Sequence, residues 1–398
     1  MTRRPADHPA GRVVARDLFL PPLGGRGVFP GPVGYTRADA AALSYLYGRV
    51  DHSDAYDDYV EIVSDDNGRT WSDPVLRFRG EPAPGGRLRW CEPAAFFDAD
   101  TGLRVGVIKR ALYPDDRRVQ GLVWQLFIGV DRGDPWRDVR PADLGVAGGV
   151  GTSFCRPVKT SRGRILVPAQ KPRLDAAGGF VHHRGYWSRA YEALAILGDY
   201  GGDGGLTWRA GGAVGGDLER TCRGLCEPTV VELADGRLAM ICRGDNGAFP
   251  ERPGCKWVAF SDDDGESWSA AEPLGCTEGD PIESPSSGST ALRSIATGRL
   301  YWIGNLCIDG VRPEANWPRS PLVIAELSEA PLAIRRETIA VIDRAGPPDG
   351  PATQLSNFRC YQDRATGEVV LLMTRFGEAD ADDWRRAGHY RYRVALGD

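Results

Sequence analysis

Apolar residues along this chain come in runs of roughly four to eight, broken by Gly, Pro, Asn and Asp, with no long stretch at helical spacing. Each run reads as a strand and each break as a turn. Tyr390-Arg391-Tyr392-Arg393-Val394 alternates with period two. The runs Leu46-Tyr47-Gly48-Arg49, Val107-Ile108-Lys109-Arg110, Val167-Pro168-Ala169-Gln170, Met240-Ile241-Cys242-Arg243 and Trp302-Ile303-Gly304-Asn305 end on a polar residue, as does Met373-Thr374-Arg375. Each follows a short turn, centred on Arg37-Ala38-Asp39, Asp100-Thr101-Gly102, Arg162-Gly163-Arg164, Ala234-Asp235-Gly236, Ala296-Thr297-Gly298 and Ala365-Thr366-Gly367 in order. Six such hairpins predict six sheets.

A second repeat, Asp-x-Gly-x-x-Trp, occurs at Asp66–Trp71, Asp131–Trp136, Asp203–Trp208 and Asp263–Trp268, about 65 residues apart. In each copy Asp caps its own backbone, Gly supplies a positive φ and Trp plugs the layer beneath. Six repeats of about 65 residues consume the 398-residue chain, and radial repetition of four-stranded sheets is a β-propeller. The expectation is an all-β, six-bladed β-propeller filling one domain, 1–398, with Val13-Val14-Ala15-Arg16 and the Tyr390–Val394 run sharing a blade.

Composition narrows the function classes. A net charge of −5 with no basic tract argues against a phosphate-neutralising nucleic-acid surface. No apolar run is long enough to span a membrane, and no apolar stretch follows Arg3 and Arg4, so the chain reads as cytoplasmic. Nine cysteines, scattered and without a C-x-x-C pair, read as buried thiols, and no metal or organic cofactor is implied.

If the hairpins are equivalent, Arg49, Arg110, Arg243 and Arg375 converge on one axis. The strands entering the hairpins share Cys91-Glu92-Pro93, Cys155-Arg156-Pro157 and Cys226-Glu227-Pro228, which adds Glu92, Arg156 and Glu227. Guanidinium groups beside carboxylates at a propeller mouth suit a small carboxylate-bearing ligand, because the fork matches two oxygens.

These features resemble the sialidase (neuraminidase) superfamily, whose six-bladed propellers carry Asp-boxes of the form Ser-x-Asp-x-Gly-x-Thr-Trp. Gly48-Arg49 followed by Asp54 is similar to the segment that bears the family's acid/base aspartate. The stretch from Glu227 to Arg243 is similar to its catalytic glutamate and a carboxylate-binding arginine, and Pro318-Arg319-Ser320 to the strand with another, Arg312 being a second candidate. The resemblance implies an exo-acting glycoside hydrolase on a terminal acidic sugar. Asp54 and Glu227 would be catalytic, and Arg49, Arg243, Arg319, Glu92, Arg110, Arg156 and Arg375 substrate-binding.

Two positions depart from the family pattern. Val28-Phe29-Pro30 stands where an Arg-Ile-Pro motif is expected, and Leu355 stands where the nucleophilic tyrosine is expected, leaving Tyr361, the nearest phenol, as the third catalytic candidate. The alternatives are a non-catalytic propeller that binds acidic glycans, and a uronate lyase or deoxy-sugar glycosidase.

Overall fold

Short β-rich runs with tight turns leave the chain one way to bury its apolar residues, by pairing neighbouring strands and stacking the resulting sheets face to face. The computed structural model describes residues 9–397 except 23, 55, 57, 116–120, 153–155, 379, 380, 382 and 383. Its strands form six antiparallel-based sheets arranged as the blades of a six-bladed β-propeller. Blade 4 is typical: Cys226–Glu232, Leu238–Arg243, Lys256–Ser261 and Glu272–Pro273 pair in chain order. Among the described residues the helical segments are two 3-10 turns, His183–Gly185 and Arg336–Thr338.

The ring closes where the sequence places the closure. Gly11–Leu20 pairs with His389–Leu396 as the outer strand of the sheet that also holds Phe358–Gln362 and Val369–Thr374. Clusters of buried apolar side chains lie between neighbouring blades. Val231, Ile241 and Val258 of blade 4, for instance, pack against Ala291, Trp302 and Val323 of blade 5.

Two Asp-boxes have the expected hydrogen bonds. Ser64 Oγ donates to Asp66 Oδ1 at 2.8 Å, Thr70 N donates to the same oxygen at 2.8 Å, and Gly68 has a φ of 76°. The Ser261–Asp263–Ser267 box repeats these contacts at 2.8 and 2.9 Å, with Gly265 at 87°. The other two turns differ. In the Asp203 turn the positive φ falls on Gly204, one residue before the motif glycine, and Asp131 caps Gly133 N and Asp134 N without that conformation. The shared tryptophan still does the packing.

Trp136 is the most enclosed of the four, edge-on to Phe78 at 5.7 Å and flat against Gly106. Trp136→Ala should cost about 3–5 kcal/mol in urea denaturation, because a cavity of indole size opens between rigid strands. A cost below about 1 kcal/mol would show the box tryptophan to be dispensable.

Candidate active site

The entering strands of blades 2 and 4 share one irregularity. Each breaks ladder register, between Cys91 and Ala94 and between Cys226 and Thr229. At the break Glu92 and Glu227 adopt left-handed conformations, with φ of 51° and 46°. Such a bulge turns a side chain that pleating would send toward a neighbouring blade toward the axis, and strain of this kind concentrates at functional positions. The backbone N–H of Glu227 is held by Gln170 Oε1 at 2.8 Å, and that of Glu92 by the Tyr59 hydroxyl at 3.1 Å.

Each carboxylate meets a cation from the return strand of its own blade. Arg243 Nη1 donates to Glu227 Oε1 at 2.5 Å, and Lys109 Nζ donates to Glu92 Oε2. The remaining donors of Arg243 are also used, Nε on Ser286 Oγ at 2.8 Å and Nη2 on Asn316 Oδ1 at 2.7 Å. Lys109 also lies 4.2 Å from the Trp124 ring centroid.

These groups open into a cavity of about 200 Å³ at the mouth of the propeller. Lys109, Arg223, Arg243, Arg319 and Arg359 line it, against Asp54, Glu92 and Glu227, so five cationic side chains face three anionic ones. Arg319 donates only to neutral acceptors, Gln354 Oε1 at 2.8 Å, Ser356 Oγ at 3.3 Å and Ser286 O at 3.3 Å, and its buried Nε has no partner. Burial, followed by the neighbouring Arg243, pushes its guanidinium well below the ordinary arginine value. An excess of buried positive charge is costly unless an anion arrives.

Burial alone would raise the Glu227 carboxyl, but Arg243, Arg223, Arg319 and Lys256 outweigh it and hold the group below its ordinary 4.5. Glu227 is therefore a carboxylate that accepts, and its Oε2 accepts no hydrogen bond from a described residue. Stability supplied by a depressed carboxyl is complete above the unfolded value and lost as pH falls through the folded one. Denaturation midpoints of the wild type should therefore drop as pH falls below the unfolded value of 4.5, and Glu227→Gln should flatten part of that slope. An unchanged slope would mean that the pair contributes no pH-dependent stability.

Behind Arg243, Lys256 is 3% exposed and donates to Pro285 O at 3.1 Å and to Ser287 O. Burial and then Arg243 push its ammonium down to about 7.

Asp54 also lines the cavity, on an exposed loop with a φ of 56°, and its one described hydrogen bond is from Ser53 Oγ at 3.4 Å. Phe29, Tyr56 and Trp384 form an apolar wall, and Trp124 stacks on Tyr191 at 5.9 Å on another side. Trp187 and Trp317 stand on the rim, 62% and 39% exposed. The loop carrying His182 and His183 thus contributes Trp187, while His183 turns inward against Phe249.

Asp54, Glu227, Glu92, Arg243 and Arg319 thus come together, and six other predicted site residues do not. Arg110 lies on the opposite face of its strand, with Glu81 at 3.3 Å and Gln125 at 3.1 Å. Cys91 pairs with Lys109 as Cys226 pairs with Arg243, so Lys109 is the equivalent residue, and a shift of one position reverses the face. Arg49 is taken by Asp58 at 3.0 Å, which also holds Arg26. Arg375 is enclosed by Asp343, by Asp349 at 2.6 Å and by Glu378.

Tyr361 and Arg156 line a different cavity. Tyr361 stands edge-on to Tyr35 at 5.8 Å, where burial pushes its phenol up. Arg312 pairs with Glu283 at 3.1 Å, away from the cavity. Leu355 is fully buried, and no tyrosine hydroxyl among the described residues hydrogen-bonds Glu227. The eight described cysteines are free, and Cys155 lies outside the described residues.

Sequence reasoning missed Lys109, Arg223 and Arg359. Lys109 had a signal, since it follows Glu92 by 17 positions as Arg243 follows Glu227 by 16. Arg223 and Arg359 sit in no repeated motif. Among the described residues no group of three His, Cys, Asp or Glu side chains is arranged to hold a metal ion, and no helix is long and apolar enough to cross a membrane.

Six radial blades with an acid- and arginine-lined mouth define a propeller of the sialidase fold. The chain belongs to the BNR repeat-like domain family, which matches residues 116–336. No curated protein matches it. Among solved structures, a Dyadobacter fermentans DSM 18053 protein of unknown function superposes with a TM-score of 0.63 at 14% identity, covering 98% of this chain and 100% of that one. The Hadza microbial sialidase Hz136 gives 0.60 at 15% identity, covering 93% of this chain and 66% of its own length. A Trypanosoma rangeli sialidase in complex with the inhibitor DANA gives 0.59 at 12% identity, covering 92% and 55%. The chain therefore spans two-thirds or less of these two sialidases, and at such identities the likeness is one of fold.

Proposed function

We propose that this protein is an exo-acting glycosidase that removes a terminal acidic sugar. The observation that carries the reading is the convergence of five cationic and three anionic side chains on one cavity, with no acid among the described residues within ion-pair distance of Arg319. The sugar carboxylate lies against Arg319, with Arg223 and Arg359 close by. Asp54 donates a proton to the leaving oxygen. Glu227, ionised and with one oxygen free of donors among the described residues, takes a proton from the attacking water. Water replaces a phenol in this scheme because no tyrosine hydroxyl among the described residues hydrogen-bonds Glu227. The apolar wall of Phe29 and Trp384 fits the carbon face of a sugar ring.

A second reading is a propeller that binds acidic glycans without cleaving them. The closed Glu227–Arg243 pair favours it. A panel of aryl glycosides covering sialosides, uronides and deoxy-sugars, assayed with wild type, Asp54→Asn and Glu227→Gln, separates the two. Turnover of an acidic substrate that falls about 100-fold or more in both variants supports the hydrolase. No turnover, with acidic glycans still bound through Arg319, supports the binding protein and removes the catalytic roles.

A further inference from the structure

The second cavity lies at the far ends of the same inner strands. Phe96 and Phe97 close the strand Gly86–Phe97, and Tyr361 and Gln362 close Phe358–Gln362, whereas Glu92 and Arg359 of those strands line the first cavity. Its volume is also about 200 Å³.

Three arginines line it, Arg104, Arg156 and Arg364, and none of its lining residues is an acid. Two of them are anchored by the protein. Arg364 donates Nη1 to the carbonyls of Arg37, Ala38 and Asp39 and lies 4.3 Å from the Tyr35 ring centroid. Arg104 donates to Gly133 O and lies 3.8 Å from Glu61, a carboxylate already paired with Arg77 at 2.5 Å. Arg156 makes no hydrogen bond or ion pair with a described residue, and the Tyr361 hydroxyl makes no hydrogen bond to one. Walls of Phe96, Phe97, Trp136 and Tyr35 surround these groups.

We propose that this cavity binds a small organic anion, a carboxylate carried on a flat apolar body, with the carboxylate on Arg156. The guanidinium fork matches two carboxylate oxygens, and three cations in a concave, low-dielectric wall focus their field on one point. The aromatic walls cover the apolar body, as in most small-molecule sites. The proposal is independent of what the first cavity does.

Isothermal titration with benzoate, and with benzamide as its uncharged counterpart, tests it on the full chain. Wild type should bind benzoate saturably and benzamide at least about tenfold more weakly. Arg156→Ala should weaken benzoate binding at this cavity about tenfold or more, and in an Arg319→Ala background, where the first cavity no longer competes for the carboxylate, the Arg156-dependent binding should remain. Arg156 is exposed and makes no described bond, so its variant should keep the wild-type melting temperature. Equal binding of benzoate and benzamide, no saturable binding, or loss of binding in Arg319→Ala instead of Arg156→Ala would each overturn the proposal.

Discussion

Arg243→Ala should destabilise the protein by about 3–5 kcal/mol, because it leaves Glu227 as a buried charge without its cation. The guanidinium is 7% exposed and the Glu227 carboxylate 17%, and three of its nitrogens are committed to Glu227, Ser286 and Asn316. The loss is mostly that of stranding the partners. Glu227→Gln in the same background should therefore recover a large part of it, and urea denaturation of the double-mutant cycle measures the coupling. A cost below about 1 kcal/mol for the single substitution would mean that water already screens the pair.

Arg319→Met should act in the opposite sense on the two observables. Its guanidinium is held against neutral acceptors beside another cation, so removing the charge relieves repulsion, and the melting temperature should hold or rise. Affinity for an acidic ligand should fall by about 2 kcal/mol or more, roughly 30-fold, because a charged hydrogen bond in a concave site is lost. A protein that melts earlier and binds as before would make Arg319 a structural residue. The stability–binding opposition is what a preformed anion site requires, since the charge excess costs the empty fold what the ligand later offsets.

The propeller was legible because its instructions are local. Asp66 and Asp263 close their turns with hydrogen bonds to residues at most four positions away, and such patterns survive as short motifs. The hairpin count and the closure by Gly11–Leu20 follow from the same turn and alternation signals. Half of the candidate site was legible for a similar reason, since Cys91-Glu92-Pro93 and Cys226-Glu227-Pro228 are copies of one short motif, although the third copy places Arg156 in the other cavity. The misplacements trace to facing. Arg110 was aligned with Arg243 by counting strand ends, but bulges in the entering strands make ladder pairing the reliable guide, and pairing selects Lys109. Arg49 and Arg375 sit beside the right strands, but Asp58, the cross-strand partner of Arg49, and Asp343, brought to Arg375 by the neighbouring blade, bind them away from the cavity. Arg359 and Arg223 reach the cavity through blade packing alone, which no short motif records.

Calorimetric titration with an acidic monosaccharide and its methyl ester, using wild type and Arg319→Ala, tests the central claim most directly. The account predicts that wild type binds the acid at least about tenfold more tightly than the ester, and that Arg319→Ala binds both alike. Equal affinity of wild type for acid and ester would contradict it, because the charge excess of the cavity would then serve no carboxylate.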